Sequence, residues 1–165
     1  FIGTYEKIRS EYLLFLAENG IKINVFGWAH DSKKTGINHP NILNFNRHVF
    51  LDDFSRIISS SKISINFLRK SNKDTETTRT VEIPACGGFM LAERSREQQE
   101  LFEEAREAEY FDSKEELLEK VKYYTSHPGE RNMIALNGRI KCLLLKLDYG
   151  SQLSKIINYL KIQND

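Results

Sequence analysis

Between Thr78 and Ala92 the chain reads T-R-T-V-E-I-P-A-C-G-G-F-M-L-A, a short helical pattern that stops at paired glycines and passes directly into an apolar run. This stretch limits the folds open to the chain more than any other. Val81 and Ala85, four residues apart, share the inward face of a helix, while Arg79 and Glu82, three apart, share another. Gly87 suits the left-handed conformation that closes a helix C-terminus. Phe89 to Ala92 has the unbroken apolar character of a strand covered on both faces, as strands of parallel sheets are. Pro84 would disturb a helix interior, so the helix is expected to begin near Thr80, with Pro84 close to its first turn, or to kink there. A helix end against a buried strand is where α/β folds place ligands, and the Arg79 and Glu82 pair on the open face favours a polar one.

The rest of the chain repeats this alternation. Phe1-Ile2 reads as a strand end and Gly3 as a turn. Tyr5 to Asn19 carries Ile8, Tyr12, Phe15 and Leu16 at helical spacing, and Ile21 to Phe26 alternates as a strand. This β-α-β unit predicts a parallel, Rossmann-like sheet. Ala29 to Arg47 reads as a long polar loop with room for one helical turn. Val49 to Leu51 is expected to be a short strand, and Asp52 or Asp53 to cap a helix through Ser60. Lys62 to Leu68 alternates as a core strand. Arg69 to Thr77 is then a polar loop leaving the carboxyl end of that strand, where ligands of open α/β sheets bind. Glu93 to Glu109 reads as a charged helical face, Ala108 to Phe111 as a last strand, and Ser113 with Glu116 as a capping box opening a helix through Tyr124. Helices are expected from about Arg131 to Leu147 and from Ser151 to Lys161. The last places Leu153, Ile156, Ile157 and Leu160 on one face, which needs an apolar partner.

Composition removes several classes of function. The net charge is +1 over 165 residues, without the basic excess of a nucleic-acid binder. Lys33-Lys34 and Arg69-Lys70 are small basic groups of the kind found in solvated loops. No run is long and apolar enough to span a membrane, and no signal peptide opens the chain. Cys86 and Cys142 lack metal-ligand spacing and read as reduced, buried thiols of a cytoplasmic protein. His30, His39 and His48 match no zinc pattern. With 40% apolar residues the chain reads as one domain over residues 1–165, and its abrupt opening on Phe1-Ile2-Gly3 as a fragment of a longer polypeptide.

The run R-T-V-E-I-P-A-C-G-G-F-M-L-A, followed by Tyr110 to Leu117, Tyr123-Tyr124 and His127 to Arg131, resembles the C-terminal half of glycosyltransferases with the two-domain GT-B fold. It is similar in particular to the CgeB-like spore-protein glycosyltransferases, related to glycosyltransferase group 1. The opening F-I-G-T-Y-E-K-I-R is similar to the start of the second domain of such enzymes. The resemblance implies a Rossmann-like domain that binds a nucleotide diphosphate sugar, a uridine diphosphate sugar in the first instance. An N-terminal acceptor-binding domain would be missing, so the fragment alone would bind but hardly turn over.

By the resemblance, Glu82 takes the ribose hydroxyls, Arg79 pairs with phosphate or holds Glu82, and Thr78, Gly87 and Gly88 border the nucleotide. The Gly3-Thr4 turn, with Lys7 and Arg9, meets the diphosphate. The arrangement of Lys7 and Arg9 departs from the group 1 pattern. The family's pair of glutamates separated by seven residues is also incomplete, because counting back from Glu82 gives Asp74, with Glu76 close by. No cofactor and no essential metal are implied, GT-B enzymes using helix dipoles and basic side chains instead. The residues leave open a second reading, a Rossmann-like binding or assembly module without transferase activity. A receiver-like domain would require clustered aspartates at the first strand end, which the sequence lacks.

Overall fold

The computed structural model describes residues 1–28 and 38–162. Helix α1 (Lys7–Glu18) leads into β1 (Ile23–Val25), which pairs in parallel with β2 (Ile42–Asn44). Helix α2 (Leu51–Ser60) crosses to β3 (Ser64–Asn66), and α3 (Thr78–Ala85) to β4 (Met90–Glu93). A short α4 (Arg96–Leu101) precedes β5 (Glu109–Phe111), and α5 (Lys114–Ser126), α6 (Pro128–Leu145) and α7 (Tyr149–Ile162) complete the chain. Strands β3, β4 and β5 form a second parallel sheet in that order. Ile2 bridges Phe26 in parallel, so the opening residues lie along the edge of β1.

Strand alternation divides the core into two layers. Val25, Ile65, Leu91 and Phe111 face α1 and α5, meeting Leu13, Leu16, Leu117 and Val121. Phe26, Met90, Ala92 and Tyr110 face the opposite way, toward Phe54 and Ile58 of α2, Ile83 of α3 and Cys142 of α6. Both faces are therefore covered, as the parallel, helix-sandwiched arrangement requires.

Several boundaries differ from expectation. The segment expected to be loop supplies β2, whose Ile42 and Asn44 pair with β1; its exposed Leu43 leaves little apolar pattern to reveal a strand. Val49 to Leu51 is not a strand. Leu51 adopts a positive φ of 48°, which ends the extended run, and the helix begins there with Asp52 and Asp53 in its first turn and no side-chain cap. Helix α3 begins at Thr78 instead of Thr80. Thr77 and Thr80 close a capping box at its start, which leaves Pro84 near its last turn. The charged run after Glu93 holds only the short α4, because Phe102 extends into the core and Ala105 turns with a φ of 61°. Ser113 caps α5 as expected, its oxygen accepting from the Glu116 N–H. His30 lies outside the described residues; His39 accepts from the Asn41 N–H and His48 stacks on Phe50. Among the described residues no helix is long and apolar enough to cross a membrane.

The carboxyl ends of β4 and β5 are closed by a charge network. Arg94 donates to Asp112 at 2.7 Å, to Glu104 and to Glu116, while Lys120 donates to Glu104 at 2.9 Å and to Glu109 at 2.6 Å. Buried Glu109 also accepts from Tyr124 at 2.6 Å. The hydrogen bond from Arg94, aided by Lys120, holds the Glu104 carboxyl at about 2, outweighing its burial. A carboxyl with a depressed folded pKa stabilises the fold above its unfolded pKa and loses that contribution as pH falls through the folded value. Acid unfolding should therefore steepen between about pH 4.5 and 2. Glu104→Gln should flatten that limb and lower stability at pH 7 by about 2 kcal/mol, read by denaturant melts at both pH values.

Candidate functional site

Chain order reverses between the opening strand and β3. From Phe1–Gly3 the chain moves out through β1 to β2, then returns across α2 to β3 and proceeds the other way through β4 and β5. Loops leaving two carboxyl ends diverge at such a point, opening a crevice where open α/β sheets bind ligands. The two loops here carry Thr4 and Arg69.

They meet through a cluster of charges. Arg9 is 5% exposed; its Nη1 donates to the Thr4 carbonyl at 3.1 Å and to Thr4 Oγ1 at 3.3 Å. Its Nε lies 3.2 Å from a Glu6 carboxylate oxygen, an ion pair, yet points off the hydrogen-bond direction and has no other partner. Burial lowers the Arg9 pKa, opposed chiefly by Glu6, and Arg69 lowers it further. Arg69 reaches Thr4 Oγ1 at 3.3 Å and stands 3.5 Å from Glu6. Lys70 pairs with Glu93 at the end of β4, and the other oxygen of Glu93 accepts the Leu68 N–H at 3.0 Å. Arg69 and Lys70 keep 41% and 62% of their side-chain surface in solvent, so two exposed cations stand at the carboxyl edge of the sheet beside buried Arg9.

The site residues expected from sequence fall into separate groups. Gly3, Thr4 and Arg9 join the crevice, and Asp74 acts on Arg9 electrostatically from the following loop. Lys7 instead points outward, 4.0 Å from Glu11. Thr78 and Glu82, with Glu76, line a cavity of about 510 Å³ between α3 and the α6–α7 junction, together with Leu143, Lys146 and Tyr149. Arg79 pairs with Glu82 and lies over the Phe54 ring, 4.3 Å from its centroid, and does not line that cavity. Gly87 and Gly88 precede β4, at the strand's amino end, away from the carboxyl-edge crevice. Gly87 closes α3 with a φ of 75°, and a Cβ on Gly88 would collide with Ile58 and Ile83, so both glycines serve helix and strand packing.

Sequence reasoning missed Glu6 and Glu93 and read Arg69-Lys70 as an ordinary solvated pair. The available signal was position: Arg69-Lys70 directly follows the alternation ending at Leu68, and Glu93 ends the apolar run of β4.

A parallel sheet with helices on both faces, whose chain order reverses between the opening strand and β3, is a Rossmann-like architecture. Residues 9–158 match the Glycosyl transferase-like family, and the chain belongs to that family. No curated protein sequence matches significantly. Similar solved structures include Alr3699/HepE of Anabaena in complex with UDP-glucose, with a TM-score of 0.75 and 13% identity over 97% of this chain and 47% of that one. A glycosyltransferase from Rickettsia africae gives 0.64 and 13% over 86% and 41%. The C-terminal domain of the group 1 glycosyltransferase LpcC from Francisella tularensis gives 0.60 and 16% over 87% and 84%. The fold is thus the Rossmann-like half of a GT-B glycosyltransferase, and the chain spans less than half the length of the first two structures.

Proposed function

We propose that this chain is the donor-binding half of a glycosyltransferase that takes a nucleoside diphosphate sugar, a uridine diphosphate sugar in the first instance. The observation that carries the reading is the grip of Arg9 and Arg69 on Thr4 at the reversal point, with Lys70 on Glu93 at the end of β4. Its chemistry suits a diphosphate leaving group: Arg69 and Lys70 supply mobile donors, and buried Arg9 holds the Thr4 turn in place. Glu82, partly exposed beside the α3–α6 cavity, is a carboxylate acceptor suited to vicinal ribose hydroxyls once it shares Arg79. HepE, solved with UDP-glucose and with UDP and glucose, supports the choice of donor class.

In this reading side-chain cations balance the leaving charge without a metal or cofactor. A separate N-terminal domain brings the acceptor, so the chain alone binds without appreciable turnover, in the cytoplasm. The CgeB-like group is the subgroup that its Arg79 to Ala92 and Tyr110 to Arg131 segments resemble. The incomplete acidic pair, with Asp74 where the family carries a glutamate, favours the other reading, a binding module without transfer.

Calorimetric titration with UDP and UDP-glucose separates these readings. Binding should survive EDTA. Arg69→Ala and Glu82→Ala should each weaken it by about tenfold, the loss of one charge-assisted hydrogen bond. A folded protein that binds neither nucleotide would sink the donor reading, and unchanged affinity in Glu82→Ala would remove the ribose role.

A further inference from the structure

Three stretches of backbone stand abreast at the carboxyl edge beside the Thr4 turn. The Gly3 N–H donates to the Phe26 carbonyl at 3.1 Å, and the Gly27 N–H donates to the Arg47 carbonyl at 2.9 Å, so the pairing of β1 with β2 runs on past Asn44. Arg47 therefore lies two strand spacings, roughly 10 Å, from the turn that Arg9 and Arg69 grip.

The chain leaves that point as His48-Val49-Phe50-Leu51. Val49 is buried in the core layer of Phe26, Phe54 and Ile83, whereas His48 and Phe50 on either side of it are exposed, the alternation of extended chain. Phe50 is 70% exposed and Leu51 88%. The His48 ring stacks beside Phe50 with centroids 6.0 Å apart and planes at 29°. Neither residue makes a hydrogen bond through its side chain among the described residues. Phenylalanine is ordinarily buried, and adjacent large apolar side chains left in solvent mark a contact surface. This surface is small. Its nearest charged neighbours, Arg47 and Asp53, pair with each other at 3.2 Å, and three residues fall far short of the roughly 20–30 a side of a standard protein interface. A small planar ligand fits it better.

The shelf also adjoins the groups already assigned to the donor. Phe54, one turn further along α2, carries Arg79 over its ring, and Arg79 pairs with Glu82, so the Glu82 carboxylate and Phe50 belong to the same helix layer. We propose that Phe50, flanked by His48, is the platform on which the nucleobase of the donor stacks, a role that rests on the donor-binding reading above. A base has a π-face that an aromatic ring stacks on, and a polar edge that the unpartnered His48 ring nitrogens suit. With the base on Phe50, the diphosphate reaches back across two strands to Thr4 and Arg69, the span of an extended nucleoside diphosphate.

Calorimetric titration of the protein and of Phe50→Ala, Phe50→Leu and Phe50→Tyr, with UDP and with inorganic pyrophosphate, tests the platform. The alanine and leucine variants should bind UDP about tenfold more weakly, and the tyrosine variant should retain the parent affinity. Pyrophosphate, which has no base, should bind all four alike. The uracil H5 and H6 resonances of bound UDP should move upfield with the parent and with Phe50→Tyr but not with Phe50→Leu, because protons over an aromatic ring are shielded. Melting should be nearly unchanged throughout, since Phe50 is exposed. UDP affinity unaffected by Phe50→Ala, or equal losses for UDP and pyrophosphate, would overturn the platform and leave the donor reading in place. A folded parent protein that binds no UDP would remove both. A dimer of the parent that Phe50→Ala dissociates would overturn the proposal by assigning the shelf to a second copy.

Discussion

Gly27→Ala should lower stability by about 3 kcal/mol, with a fall in Tm of roughly 10 °C. Gly27 follows Phe26 at the carboxyl end of the β1 segment with a φ of 94°, a conformation that costs a side-chain-bearing residue on the order of 1–2 kcal/mol. Its added Cβ would also stand 2.5 Å from the Gly3 carbonyl oxygen and 3.0 Å from the Gly3 carbonyl carbon. Those are backbone atoms, so relief requires moving the Gly3-Thr4 turn that Arg9 and Arg69 grip. The loss should therefore appear in donor binding as well as in the melt. Gly20→Ala provides the control, because its φ is 85° but no atom lies within 4 Å of the added Cβ. It should cost about 1 kcal/mol of strain and leave binding unchanged. Equal losses in the two variants would show that backbone strain alone, and not the approach to Gly3, governs Gly27.

Gln98→Ala should cost about 3–4 kcal/mol, combining a cavity with stranded hydrogen-bonding groups. Gln98 is fully buried. Its Oε1 accepts from Thr80 Oγ1 at 2.8 Å and from Asn66 Nδ2 at 3.2 Å, and its Nε2 donates to the Glu93 carbonyl at 2.6 Å. Thr80 in turn accepts the Thr77 N–H at 3.2 Å, and Thr77 Oγ1 donates to Asn66 at 3.2 Å. One side chain thus ties the ends of β4 and β3 and the first turn of α3, and through α3 it sets the position of Glu82. Gln98→Leu keeps most of the volume and should retain about half the loss, isolating the polar part. Denaturant melts of both variants measure the split. A leucine variant as stable as the parent would mean that packing, not the network, holds the start of α3.

Much of the layering was legible before any coordinates. Period-two alternation at Lys62 to Leu68 and the apolar run at Phe89 to Ala92 located β3 and β4, and the helical spacing of Tyr12, Phe15 and Leu16 located α1. Strand β2 was not legible, because its exposed Leu43 and half-covered neighbours leave no strong pattern and its identity rests on pairing with β1. The charged run after Glu93 misled for a related reason. Glu104 and Glu107 serve partners far along the chain, Lys120 and Lys141, and do not form one solvated helical face. The site was legible in outline only. The family resemblance singled out the Gly3-Thr4 turn, Arg9, Arg79 and Glu82 as candidates, whereas the positions of Arg69, Lys70 and Glu93 depend on which strand ends lie beside one another.

The sequence alone determined the alternation of strands and helices, the parallel class of the sheet and the resemblance to a glycosyltransferase half, because periodicity and motif spacing are properties of neighbouring residues. Only the tertiary structure decided that Arg69 and Lys70 converge on Thr4 and Glu93, and that Gly87 and Gly88 serve packing at the far end of β4. These outcomes depend on contacts across tens of residues, set by where the strand order reverses and how the two helix layers close on the sheets, and no local pattern encodes them.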